Sequence, residues 1–161
     1  MTKFAPLPRP PMPQPMGEQA HVAVILRLND PNDDILIRHI RLLRDCVALA
    51  QQRWQFEVEA AVVLPGELQM LCRFDDIQFG AGDAVKLITT AFARHVPHGG
   101  TVVWSDENEM HEVGAAVAAL RRDLIENAPV RAGLARAPQD WPHSSVHRAV
   151  PQVGKLGVDV A

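Results

Sequence analysis

The stretch Gln55-Phe-Glu-Val-Glu-Ala-Ala-Val-Val-Leu64, Pro65-Gly66, Glu67-Leu-Gln-Met-Leu-Cys-Arg-Phe74 decides how this chain is built. Two runs rich in β-branched, aromatic and other apolar residues flank a Pro-Gly pair, a strong turn signal. Both runs are strand-length, and so short a connection leaves no room for a crossover, so the two strands must pair antiparallel. In the second run Leu68 and Met70 alternate with Glu67 and Gln69, which turns one face to a core and the other outward.

Upstream, His21 to Leu28 reads as another strand, and Asn29-Asp-Pro-Asn-Asp-Asp34 supplies turn and cap chemistry. A helix is expected from Asp34. Ile37, Ile40, Leu43, Val47 and Ala50 recur at three- and four-residue steps with Arg38, Arg41, Arg44 and Asp45 between them, the pattern of an amphipathic helix that covers a sheet. Downstream, Asp83 is expected to cap a second helix running to about His95, with Val85, Ile88, Phe92 and Val96 on one side, before His98-Gly-Gly100 breaks it. Thr101 to Trp104 reads as a short strand, and Val113 to about Asn127 as an alanine-rich helix stopped by Pro129. Strand, helix, two strands, helix, strand, helix, without repeats, predicts an α+β fold: a mainly antiparallel sheet with helices packed on it.

The chain has 161 residues, 47% hydrophobic and 22% charged, which suits one globular domain with a real core. That domain is expected over residues 20–150. Pro6, Pro8, Pro10, Pro11, Pro13 and Pro15 exclude a helix interior or central strand, so 1–19 reads as an extended proline-rich tail, with 151–161 as a C-terminal tail. No apolar run approaches a membrane span and the N-terminus lacks the sections of a signal peptide, so a cytoplasmic protein without membrane contact is expected. Cys46 and Cys72 are too few and too far apart for a disulfide scaffold or zinc knuckle and read as buried free thiols. The net charge of −3 does not mark a nucleic-acid binder. Charge is uneven, however: Asp106, Glu107, Glu109 and Glu112 form an acidic stretch, while Arg121, Arg122, Arg131, Arg136 and Arg148 follow it.

Two further stretches are Asp123-Leu-Ile-Glu-Asn-Ala-Pro-Val-Arg-Ala-Gly-Leu134 and Asp140-Trp-Pro-His-Ser-Ser145. With Val62-Val-Leu-Pro65 they occur in the order and at the separation that resemble the REP-associated tyrosine transposases, single-strand DNA enzymes of the HUH class. The likeness covers roughly residues 20 to 150, and Trp104, His111 and Lys86 also sit at family-like positions. The resemblance implies a ferredoxin-like or RRM-like antiparallel sheet, Mg²⁺ or Mn²⁺ as cofactor, and single-stranded or hairpin DNA as partner. In that family a tyrosine attacks a DNA phosphate while a metal held by a histidine pair polarises the phosphoryl oxygen.

This chain departs from the pattern at each of those positions. The protein contains no tyrosine, and the nucleophile position is Leu124, which has no nucleophilic atom. The histidine positions are Glu67 and Gln69, two apart on a strand and so on one face, and the third ligand position, one helical turn after the nucleophile, is Ala128. A carboxylate and an amide are oxygen donors that Mg²⁺ accepts, but they also read as solvated polar residues alternating with core Leu68 and Met70. No catalytic residue, metal or cofactor is therefore assigned. Arg121, Arg122, Arg131 and Arg148 are the candidate phosphate contacts. Ser144 and Ser145 have no paired base and are expected to fix the backbone, while Trp104, Leu134 and Trp141 read as core. The first expectation is a transposase-like DNA-binding protein that does not cleave. The alternative is a protein-interaction module that reuses the fold through its acidic stretch or tail, and an active metal-dependent nuclease ranks last.

Overall fold

The computed structural model describes residues 20–75 and 80–148. Both expected tails, 1–19 and 151–161, lie outside the described residues. The elements are β1 (Ala20–Arg27), α1 (Ile35–Arg38), α2 (Ile40–Trp54), β2 (Phe56–Leu64), β3 (Glu67–Phe74), α3 (Ala81–His95), β4 (Glu109–Val113), α4 (Ala115–Glu126) and α5 (Ala128–Arg131). The strands form one sheet in the order β2-β3-β1-β4, every neighbour antiparallel. This is an α+β fold with the ferredoxin-like succession of strands and helices, extended by α4 and α5.

The Pro65-Gly66 hairpin forms as expected, antiparallel, with Leu64 opposite Glu67 and Val62 opposite Gln69. Gly66 suits a close approach, since a Cβ there would stand 3.0 Å from the carbonyl oxygen of Pro31. Its own carbonyl accepts a hydrogen bond from Leu28 N at 2.9 Å, which ties the hairpin to the end of β1.

The two faces of the sheet bury different clusters. Val22, Val24 and Leu26 of β1 and Leu68, Met70, Cys72 and Phe74 of β3 pack with Leu43, Cys46 and Ala50 of α2 and Ile88 and Phe92 of α3. The opposite face carries a smaller cluster of Ala60, Val62, Leu64 and Leu71 under Ile125 and Ala128. A bulge between Val58 and Ala60 lets β2 serve both: Phe56 and Val58 pack in the larger cluster, Ala60, Val62 and Leu64 in the smaller. The extra residue, Glu59, flips the parity of every side chain after it. Cys46 and Cys72 are buried and free, as read from their spacing, and burial, with Glu59 adding to it, pushes the Cys72 thiol up to about 12.

Several local expectations need correction. The fourth strand is Glu109–Val113, not Thr101–Trp104. Trp104 makes an isolated bridge to Leu28, flanked by backbone bonds from Asn29 N to Val103 O and from Ser105 N to Arg27 O at 2.8 Å each; its indole donates to Thr89 O at 2.9 Å and its ring packs 5.6 Å from Phe92, so the segment is pinned at one bridge and by packing without forming a continuous ladder. The first helix is divided at His39, whose φ of −118° and ψ of 42° are not helical. Asp34 precedes that helix without a side-chain capping bond; its carboxylate instead accepts from Arg38 Nε at 2.6 Å, and this partner holds the carboxyl below the ordinary range. Asp83 lies in the first turn of α3, which starts at Ala81, where its charge suits the helix dipole. The last long helix begins at Ala115 because Val113 belongs to β4, and Pro129 does not end it: the chain turns at Asn127 and Pro129 enters the first turn of α5. Among the described residues no helix is long and apolar enough to cross a membrane.

Candidate functional site

Helix α4 crosses the smaller-cluster face of the sheet. Ala118, Ile125 and the following Ala128 pack downward onto β2 and β3, and Arg121 is half-buried beside them. Val117, Leu120 and Leu124, three and four residues apart, form an exposed stripe of the same helix, with 45%, 57% and 42% of their surfaces accessible. Leu124, the position where the resemblance implies a nucleophile, is thus an exposed aliphatic side chain. Ala128 is buried in the cluster, and the non-helical turn at Asn127 separates it from α4.

Glu67 and Gln69 lie on the same sheet face as Leu71, as the two-residue spacing demands, and the Gln69 amide donates a hydrogen bond to the Glu67 carboxylate. The decisive neighbour is one that sequence reading missed. Arg27 stands directly opposite Glu67 in the β1–β3 ladder. Its Nε lies 3.4 Å from Glu67 Oε1 and its Nη2 2.9 Å from Glu109 Oε2, while its Nη1 donates to Glu107 O at 2.7 Å. Its backbone N–H also donates to Asn108 Oδ1 at 2.7 Å. The acidic stretch expected as a free docking surface is therefore partly wrapped around Arg27. The β1–β3 register sets Glu67 against Arg27, and the pairing of β4 with β1, a strand the sequence did not show, brings Glu109 to the same guanidinium.

The four candidate phosphate-binding arginines do not form one group. Arg122 Nη2 donates to Glu59 O at 2.6 Å and Arg148 Nη1 to Val58 O at 2.7 Å, so both brace the bulge of β2. Arg121 Nη2 stands 3.2 Å from His111 Nε2, and Arg131 is exposed in the last turn of α5. The bulge is anchored from its side chain as well: Glu59 reaches His21 Nε2 at 3.1 Å and Arg73 Nη1 at 2.8 Å.

The two motif stretches have clear mechanical roles. In Ala128-Pro-Val-Arg-Ala-Gly-Leu134, Pro129 opens α5 and Gly133, at φ +76°, closes it. Gly133 N donates to Val130 O at 3.1 Å and Leu134 N to Pro129 O at 2.8 Å, the paired bonds of a Schellman cap. Leu134, expected in the core, is 41% exposed because it follows that turn outward. The Asp140–Ser145 stretch is sewn along β2: Trp141 Nε1 donates to Val63 O at 2.9 Å, Val63 N to His143 O at 2.9 Å, and Ala61 N to Ser145 Oγ at 2.9 Å. Ser145 in turn donates to Glu126 of α4 at 3.1 Å, so the hydroxyl links strand and helix. Burial, with Arg44 nearby, holds the His143 pKa below its ordinary value.

No family model matches the chain, and no curated protein matches it. Among solved structures, the chain is similar to a REP-associated tyrosine transposase bound to a REP hairpin, with a TM-score of 0.72 and 20% identity over 87% of this chain and 84% of that one. The two chains share a fold. A candidate transposase from Deinococcus radiodurans aligns with a TM-score of 0.49 and 20% identity over 72% of this chain and 97% of that one.

Proposed function

We propose that this protein is a transposase-like DNA-binding protein that recognises single-stranded or hairpin DNA and does not cleave it. The observation that carries the reading is the fold likeness to a transposase bound to a REP hairpin, together with Leu124 on the helix where a nucleophile is implied. Strand cleavage by that route needs a nucleophilic oxygen and a metal-polarised phosphoryl group. Leu124 supplies no such oxygen, Ala128 supplies no ligand, and Glu67 already engages Gln69 and Arg27. The fold family's metal is therefore a poor fit to these residues, and no step is routed through it. Phosphate contacts fall to Arg131 and the remaining guanidinium N–H groups of Arg121, Arg122 and Arg148.

The test is a gel-shift titration with hairpin DNA beside an incubation of labelled single-stranded DNA with Mn²⁺. A salt-sensitive shift without covalent adduct is expected. Indifference to every oligonucleotide at micromolar protein would remove the binding half, and a stable protein-DNA adduct the other. A second reading, a module that docks a protein partner, is favoured by the exposed Val117, Leu120 and Leu124 stripe on α4. Pull-down from nuclease-treated lysate separates the two, because a DNA-bridged partner is lost and a direct one remains.

A further inference from the structure

We infer that Arg27 is the resident cation of the corner formed by Glu67, Gln69 and Glu109, filling by its own charge the electrostatic place that a divalent metal would take. The inference rests on the reading above that Glu67 and Gln69 occupy the metal-bearing positions of the fold. The guanidinium reaches one carboxylate on β3 at 3.4 Å and one on β4 at 2.9 Å, and a carbonyl before β4 at 2.7 Å. It is thus held from three directions by oxygen atoms, in a half-buried setting where its side chain is 33% exposed. Glu67 and Glu109 bring like charges to β1 from its two neighbouring strands, and the guanidinium between them answers both with directed N–H bonds and a charge that does not titrate away. A divalent ion approaching this corner meets that fixed positive charge and finds the Glu67 oxygens already engaged. The amide of Gln69, which donates to Glu67, completes the arrangement: it presents N–H rather than oxygen to the carboxylate.

The same geometry states what the corner becomes without the guanidinium. Two carboxylates, the Gln69 amide oxygen after rotation, and the Glu107 carbonyl are all hard oxygen donors of the kind that Mg²⁺ and Mn²⁺ take. Removing one positive charge leaves a net deficit of two, which a single divalent ion neutralises. Arg27→Met keeps the stem that lies on the sheet and deletes the charge; Arg27→Lys keeps the charge on a smaller head.

The experiment is a Mn²⁺ titration of the full chain, read by loss of the free-ion EPR signal and by the shift of the thermal unfolding midpoint. The native protein and Arg27→Lys are expected to bind no Mn²⁺ at about millimolar ion, whereas Arg27→Met gains a site at least about tenfold tighter and is stabilised by the ion through mass action. Native protein that binds Mn²⁺ as tightly as Arg27→Met overturns the inference. So does an Arg27→Met protein that is folded by circular dichroism and gains no site. If Arg27→Met does not fold alone, Mn²⁺ must restore its fold, and Arg27→Gln is carried through the same titration; failure of both is a negative result. Hairpin DNA binding by the native protein is measured in the same preparation, so loss of the DNA reading and loss of this one are seen separately.

Discussion

Gly133 holds φ at +76° in open space, with nothing within 4 Å of where a Cβ would stand. The position is therefore limited by backbone strain alone, and Gly133→Ala is expected to destabilise by about 1 kcal/mol in urea unfolding, the penalty of a side chain in the left-handed region. His143 provides a pH signature. Its folded pKa lies below the ordinary 6.5, with burial as the larger cause and Arg44 the lesser. The unfolded chain then binds more protons through this window, so the contribution of His143 is complete above about pH 6.5 and declines as pH falls toward the folded value. The unfolding midpoint of the native protein should drop as pH falls through and below about 6.5, and His143→Gln should flatten that part of the curve. Leu124→Tyr returns a hydroxyl to an exposed site, so its stability should stay within about 0.5 kcal/mol of native. No adduct with single-stranded DNA is expected from it, because Arg27 and Ala128 remain; a labelled-DNA gel checks this. At this scale the sequence was informative where a residue type is itself the constraint: a chain without tyrosine has no tyrosine nucleophile. It was silent on Arg27, one arginine among many until the ladder sets it between two carboxylates.

The hairpin was legible as an element because its turn dipeptide and its strand residues agree. β4 was not, for a physical reason. Glu109-Met-His-Glu-Val113 has one β-branched residue in five, pairs on one side only, and is largely exposed, so neither periodicity nor burial marks it. Its charges suit an edge that must not recruit another strand. Thr101–Trp104, which has the better composition, makes a single bridge to the end of β1 and is anchored by buried Val103 and by the indole of Trp104 against α3. The bulge of β2 is likewise hidden, since nothing in Val58-Glu-Ala60 signals that Glu59 is the extra residue. Its anchors are measurable, however. Ser145 accepts from Ala61 N and donates to Glu126, so Ser145→Ala leaves a strand N–H without its partner and should cost about 1–2 kcal/mol in denaturant unfolding. Substitution of the neighbouring Ser144, whose hydroxyl accepts from Val146 N two residues on, should cost less.

In the described residues helices α2 and α3 cover one face of the sheet and α4 with Trp141 covers part of the other, while the 143–145 backbone runs along the outer edge of β2. On the DNA-binding reading the arginines divide by role. Arg131→Ala should weaken hairpin binding and lower the salt slope by about one, as loss of one phosphate contact does, while leaving stability unchanged. Arg122→Ala should lower stability as well as affinity, because that guanidinium also holds the Glu59 carbonyl. Gel shifts at several salt concentrations beside unfolding curves distinguish the two. By itself the sequence determined the α+β class, the hairpin, the amphipathic helices and the absence of a tyrosine, because turn dipeptides, periodicity and composition act within a few residues along the chain. Only the tertiary structure decided which strand closes the sheet, where β2 changes face, and that Arg27 sits between Glu67 and Glu109. The closing strand and the place of Arg27 depend on register between segments about forty to ninety residues apart, and the face change of β2 on a one-residue shift inside the hairpin; register is set by the packing of the whole sheet rather than by any one of its strands.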